Sequence, residues 1–270
     1  MYSYFHIFGR DFSAYGVMAI AGIIATVIYS IIRCRQKKLN GNDQLYYLTF
    51  AFIFLYLGAT ILFHLVGIKD LISILPYLFT DFRYFKDHFI TGLVFYGGLY
   101  GALVGCMVYT KMFRQDTRTM FMYTVPVIPL FHMFGRIGCF LGGCCYGMES
   151  ERFGIAYTNA ASGANGVPYL PIQLYEAVGE LIIFIVLCIN QRKVKKYYQP
   201  IGIYFVLYGI MRFVLEFFRG DEVRGFFGFL STSQWISLIT IPLGIYCLLV
   251  PTEKNFFNKW FTSKKKKDEI

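Results

Sequence analysis

Seven stretches of the chain are apolar almost without interruption, near residues 13–32, 46–67, 89–110, 119–141, 172–190, 201–218 and 232–250. Each approaches the roughly 20 helical residues needed to cross a hydrocarbon core. The pattern therefore predicts an all-α polytopic membrane protein of seven transmembrane helices. Two longer polar breaks, 68–88 and 148–171, fall on the same side of such a bundle. The first, IKDLISILPYLFTDFRYFKDH, mixes aromatic rings with both signs of charge, which suits a short helix lying at the membrane interface with the rings as anchors. The second is rich in Gly, Asn, Ala and Ser and is expected to be irregular. No internal repeat or linker interrupts the pattern, so residues 1–270 read as a single seven-helix domain ending in a basic tail at 251–270. The opening residues MYSYFHIFGR lack the basic region, apolar core and small-residue cleavage site of a signal peptide, so the first helix is expected to be retained.

Composition agrees with this reading. Of the 270 residues 56% are hydrophobic and 16% charged, against about a quarter charged in soluble domains. The positive charges also orient the bundle. Arg33, Arg35, Lys37, Lys38, Lys111, Arg114, Arg118, Arg192, Lys193, Lys195, Lys196, Lys254, Lys259 and Lys264 to Lys267 would all lie on one side. Only Arg10, Lys69, Arg83, Lys86, Arg152, Arg219 and Arg224 would lie on the other. The N-terminus is expected outside and the C-terminus in the cytoplasm. A net charge of +10 raises the question of nucleic acid, but the basic residues crowd helix ends, where anionic lipid headgroups meet them, so no nucleic-acid partner is expected. The terminal KKKKDEI reads as a solvated, lipid-facing run.

Ionisable residues inside such a chain are the first candidates for chemistry, because a charge near the bilayer centre costs about 2.5 to 3.5 kcal/mol on insertion scales. Arg136, Glu176, Glu180, Arg212 and Glu216 qualify. Arg212, Glu216 and Arg219 share one helical face, a stripe of plus, minus and plus running to the outer surface. Two inward arginines from different helices suit a phosphate, whose oxygens match the planar guanidinium fork two at a time, with Glu176 and Glu216 holding the forks. A charge network that only fixes helix register is the other reading. In FYGGLYGALVG, Gly97, Gly98, Gly101 and Gly105 fall on overlapping faces, which allows close helix packing or an opening for a lipid. Of the seven cysteines, Cys34, Cys106, Cys188 and Cys247 are isolated and read as small packing residues. Cys139, Cys144 and Cys145 follow a spacing that is not a usual zinc pattern, so no metal is assigned. A disulfide between Cys139 and Cys144, or a reactive thiol there, is the alternative to packing.

Six segments, in order, resemble the bacterial prolipoprotein diacylglyceryl transferases. GRIGCFLGGCCYG is similar to that family's Gly-Arg-Ile/Leu-Gly signature, and PIQLYEA to its Pro-Ser-Gln-Leu-Tyr-Glu segment. LYGIMRFVLEFFRGD is similar to its Tyr-Gly, Arg-Phe, Glu-Phe-Phe-Arg segment, and STSQWISL to its Ser-Met-Gly-Gln segment. FYGGLYG corresponds to its His-Gly-Gly-Leu region and AYGVM to a Tyr-Gly near the first helix, so the matches run from Tyr15 to Gln234.

The resemblance implies transfer of a diacylglyceryl group from phosphatidylglycerol to the lipobox cysteine thiol of a prolipoprotein, in the bacterial plasma membrane and without a cofactor. Its partners would be that lipid, or a related anionic one, and the prolipoprotein signal peptide. It further implies that Arg136 and Arg212 bind the phosphodiester and stabilise the departing phosphate. Arg219, Glu216, Gln173, Tyr175 and Glu176 match supporting positions, and Tyr15 and Gly147 match positions that the family treats as functional. Tyr96 falls where the family has His, which makes it a catalytic candidate beside Arg136 and Arg212, and Gly97 and Gly98 match substrate-binding positions; the chain departs from the pattern at Tyr96 for His, at Cys139 for Asn and at Cys144 for Glu. His132, one turn before Arg136, reads first as a packing or hydrogen-bonding histidine and second as a substitute base, whereas His64 and His88 are elsewhere. These departures leave two further readings: a divergent relative using another lipid or acceptor, and a non-catalytic lipid-binding protein. A transporter would show two related halves, and none is visible.

Overall fold

The computed structural model describes residues 4–7, 10–89, 92–160, 162–191, 196–220 and 225–262. Arg192, Lys193, Lys195, Arg224 and Lys264 to Lys267, which entered the charge count, lie outside the described residues, as do the side chains of Arg10 and His88. In chain order, a hairpin of β1 (Tyr4–Ile7) and β2 (Arg10–Ser13) leads into α1 (Ala14–Lys37) and α2 (Gly41–Val66). Three short helices follow, α3 (Ile68–Ile74), α4 (Tyr77–Thr80) and α5 (Phe82–Phe89), then α6 (Phe95–Met112), α7 (Arg118–Thr124) and α8 (Val127–Gly142). The pair β3 (Ile155–Ala156) and β4 (Pro168–Tyr169) precedes α9 (Ile172–Asn190) and α10 (Gln199–Leu215). The pair β5 (Phe226–Phe227) and β6 (Leu230–Ser231) precedes α11 (Thr232–Leu249), and α12 (Asn258–Phe261) comes last.

Among the described residues six helices are long and apolar enough to cross a membrane: Ala14–Lys37, Gly41–Val66, Arg118–Gly142, Ile172–Asn190, Gln199–Phe218 and Thr232–Leu249. The protein is a polytopic, mostly helical membrane protein. The stretch expected at 89–110 forms α6, but its glycines, tyrosines and Lys111 leave it outside those six. Pro126 interrupts the span Arg118–Gly142, separating α7 from α8, as expected where a residue has no N–H to donate. Residues 68–88 fold as three short helices rather than one, and residues 252–254 and 258–261 of the tail are helical.

The spans are built with their polar faces inward. On α1 the buried residues are Ala14, Gly22, Thr26, Ser30 and Cys34, while Ile20, Ile24, Ile28, Ile31 and Ile32 are exposed. On α9 Gln173, Glu176 and Glu180 are buried, and Val178, Ile182, Ile185 and Ile189 face out. In water this distribution would be costly. In lipid it is the arrangement that satisfies polar groups and leaves the apolar ones solvated by acyl chains.

The chain forms two compact units, one of Met1–Lys38 with Met122–Asn255 and one of Leu39–Phe121 with Phe256–Ile270. In the first, α1 packs on α8, α8 on α9, α9 on α10 and α10 on α11. Ser13 caps α1 by accepting from the Gly16 amide at 3.1 Å. Ser231 and Gln234 form a reciprocal capping box that starts α11, at 3.2 and 3.0 Å. In the second unit α2 and α6 pack backbone to backbone: a side chain at Gly58 or Gly97 would strike the other's carbonyl, and one at Gly101 would strike that of Phe54. Glycine is required there by proximity. The tail residues α12 close on α6, with Lys111 Nζ donating to the Lys259 and Thr262 carbonyls at 2.6 and 3.1 Å.

Candidate active site

The site lies in the first unit and is made by three helices that each present ionisable side chains one turn apart. From α8 come His132 and Arg136, from α9 Glu176 and Glu180, and from α10 Arg212, followed by Glu216 in the 3-10 turn that ends it. All six are buried. They join in one continuous chain of contacts. Glu180 Oε1 lies 2.6 Å from His132 Nδ1, and Arg136 Nε donates to His132 Nε2 at 3.1 Å. Arg136 Nη2 then meets Glu176 Oε1 at 3.0 Å, and Arg212 Nη1 meets Glu176 Oε2 at 3.3 Å. Arg212 Nη2 reaches Glu216 Oε2 at 2.7 Å and donates to Ser233 Oγ at 3.3 Å.

Two consequences follow from this geometry. A guanidinium N–H can only donate, so His132 Nε2 must accept, and its Nδ1 carries the proton given to Glu180. Both ring nitrogens are thereby committed, and the imidazole sets the orientation of Arg136. Glu176, meanwhile, holds two guanidinium groups from different helices, Arg136 on Oε1 and Arg212 Nη1 across both oxygens. Each arginine keeps N–H groups beyond those its carboxylate partners take: five are available, and the contacts above use Nε and Nη2 of Arg136, and Nη1 and Nη2 of Arg212. The arrangement can bind an oxyanion without being dismantled.

At the end of α8 the chain turns at Gly143, with φ 67°, and again at Cys145, with φ 58°, a left-handed conformation uncommon for a residue with a Cβ. Gly147 donates its amide to the Leu170 carbonyl at 2.8 Å, and Met148 to that of Phe218 at 2.8 Å. This segment pairs through Gly147 with Arg219. Gln173 Nε2 donates to the Cys144 carbonyl at 2.6 Å and to Tyr157 Oη at 3.0 Å. Burial pushes the Tyr157 phenol above its ordinary value, so it stays protonated at neutral pH. Gly138 lets the start of α1 approach α8, where a Cβ would lie 3.1 Å from the Tyr15 Cα.

The family model described as prolipoprotein diacylglyceryl transferase matches residues 3–250. The chain belongs to this family. A phosphatidylglycerol–prolipoprotein diacylglyceryl transferase of Clostridium tetani is 33% identical over 243 residues, covering 90% of this chain and 94% of the relative. A second enzyme of that name, from Clostridium perfringens, is 32% identical over 88% of this chain and 91% of its own length. One from Idiomarina loihiensis is 30% identical over 91% of each chain.

Of the family-matched positions, the fold brings Arg136, Arg212, Glu176 and Glu216 into direct contact, and gathers Gln173, Gly147, Arg219 and Tyr15 around the end of α8 together with the departures Cys139 and Cys144. Tyr175 points away from the buried face of α9 and is 45% exposed. Tyr96, Gly97 and Gly98 belong to the second unit, buried at the start of α6, where the Tyr96 ring stacks on Tyr100. His64, also in that unit, bonds through Nε2 to the Phe89 carbonyl at 3.0 Å. Sequence reasoning named His132 and Glu180 separately and missed their pairing. The signal was the matching four-residue spacing, His132 with Arg136 and Glu176 with Glu180, which lets two helices meet rung by rung. Ser233 and Tyr157 were also missed, since a serine in a capping segment and a tyrosine in an irregular loop carry no such signal.

Proposed function

We propose that this chain transfers the diacylglyceryl group of phosphatidylglycerol to the cysteine thiol of a prolipoprotein signal peptide, as a multi-pass enzyme of the bacterial inner membrane. In the step, the cysteine sulfur forms a bond to the glycerol carbon, the carbon–oxygen bond to phosphate breaks, and its electron pair leaves with glycerol phosphate. The thiol proton passes to solvent, and the phosphate passes from one negative charge toward two. Catalysis therefore needs positive charge aimed at the departing phosphate, where a single lost donor in such sites costs about 10²- to 10³-fold in rate.

The observation that supports this most is the joint hold of Glu176 on Arg136 and Arg212, which fixes two guanidinium forks from different helices beside each other. Arg136 and Arg212 bind the phosphodiester, with Glu176, Glu216 and His132 setting their orientation. Arg219, Gln173, Gly147, Tyr15 and Tyr175 support lipid and peptide binding. Tyr96, with Gly97 and Gly98, serves the same reaction by its match to the family's histidine segment. The topology proposed with this activity has α6 as a seventh span, the N-terminus outside and the C-terminus in the cytoplasm.

Complementation tests the proposal. In cells depleted of their own transferase, the wild-type chain should restore lipoprotein modification. Arg136→Ala and Arg212→Ala, inserted in the membrane at wild-type levels, should not. Restoration by both variants would sink the phosphate-binding role. A second reading, a divergent relative with another anionic lipid or acceptor, is favoured by Tyr96, Cys139 and Cys144 standing where the family has His, Asn and Glu. Failure of the wild-type chain to complement, with turnover of a different anionic lipid in vitro, would select it.

A further inference from the structure

Beside the arginines, the sulfur atoms of Cys139, Cys144 and Cys145 all lie within 4.8 Å of one another. We propose that these three cysteines form a three-thiolate site for a thiophilic d10 dication, of which zinc is the common biological example.

The geometry is close to what such an ion requires. Sulfurs bound to zinc at about 2.3 Å in a tetrahedron are separated by roughly 3.8 Å, so the trio needs to close only slightly. The backbone is bent to bring the third thiol in: Gly143 at φ 67° reverses the chain after α8, and Cys145 adopts φ 58° at the cost of crowding its own Cβ. The cluster is also held from outside. The Cys144 amide donates to the Cys139 carbonyl at 3.1 Å, and Gln173 Nε2 donates to the Cys144 carbonyl at 2.6 Å. Groups that fix the ligand-bearing backbone in this way are what tight metal sites need. Cys144 and Cys145 are half-buried, which gives an ion access and leaves the fourth coordination position to water.

Charge supports the assignment. Each coordinated thiol releases its proton to solvent, so three thiolates and a dication leave one negative charge in the site. Arg136 acts electrostatically on all three cysteines and Arg219 on Cys145, supplying the opposite sign. A disulfide would account for two of the sulfurs and leave the third, with its left-handed backbone, unexplained. All seven cysteines are free thiols in this structure.

The test uses the full-length chain purified in detergent, reduced with a phosphine and stripped of metal, then titrated with Cd²⁺ while the ultraviolet sulfur-to-cadmium absorption is followed. One Cd²⁺ per chain should bind and be displaced by Zn²⁺. Cys144→Ser and Cys145→Ser should each weaken binding by about tenfold or more, and Cys106→Ser should leave it unchanged. As a measurement on the wild-type chain alone, Cd²⁺ should protect Cys144 and Cys145 from maleimide, read by peptide mass. Absence of a saturable band, an affinity equal to wild type in both variants, or maleimide labelling of Cys144 and Cys145 unaffected by Cd²⁺ would overturn the proposal.

Discussion

Glu176 is the residue on which the buried charges depend. It is 1% exposed and bridges Arg136 and Arg212, so its loss removes the carboxylate contact of Arg136 and leaves Arg212 on Glu216. Removing one partner of a buried ion pair costs about 3 to 5 kcal/mol. Glu176→Gln should therefore lower the thermal midpoint of the purified protein well beyond Tyr175→Phe, a change at the exposed neighbour on the same helix. Equal midpoints would mean that the network contributes little to holding α8, α9 and α10 together. The stripe of Arg212 and Glu216 was legible in the sequence because an interval of four is one helical turn. Its link to Arg136 was not, since spacing along one helix says nothing about how a second helix is rotated against it. Cys139, Cys144 and Cys145 show the same limit: their spacing matches no familiar metal pattern, and they converge only because Gly143 and Cys145 take left-handed conformations.

Among the elements, the pair α2 and α6 shows how a less apolar helix is accommodated. With Gly58, Gly97, Gly101 and Gly105 at their contact, the two backbones approach closely, and packing between helices replaces hydrophobic contact with lipid as the source of stability. Gly58→Val should split this pair, because the new Cβ would meet the Gly97 carbonyl directly. The expected result is loss of monodisperse protein on gel filtration in detergent, whereas Ile53→Val, at an exposed position of α2, should behave as wild type. Unchanged behaviour of Gly58→Val would show that the contact is dispensable. Span positions were readable from apolar runs to within a few residues at most ends, because lipid imposes length and composition together. The interruption at Pro126 and the split of 68–88 into three helices depend on local backbone chemistry inside runs whose average composition hides it.

For the whole molecule, the inward polar faces and outward isoleucines and leucines fit lipid as the solvent, and the proposed orientation rests on the basic residues. A fluorescent protein that matures only in the cytoplasm, fused after Ile270, should be bright, and an alkaline phosphatase fused there inactive. The reverse pattern would invert the proposed topology and place the end of α8 on the cytoplasmic side. The central claim is that paired arginines in this lipid-embedded unit carry diacylglyceryl transfer. It is tested most directly by incubating the purified chain with phosphatidylglycerol and a lipobox peptide and weighing the peptide. The wild-type protein should add one diacylglyceryl group to the cysteine, and Arg136→Ala and Arg212→Ala should each do so at least about 10²-fold more slowly. Wild-type rates in both variants would contradict the account.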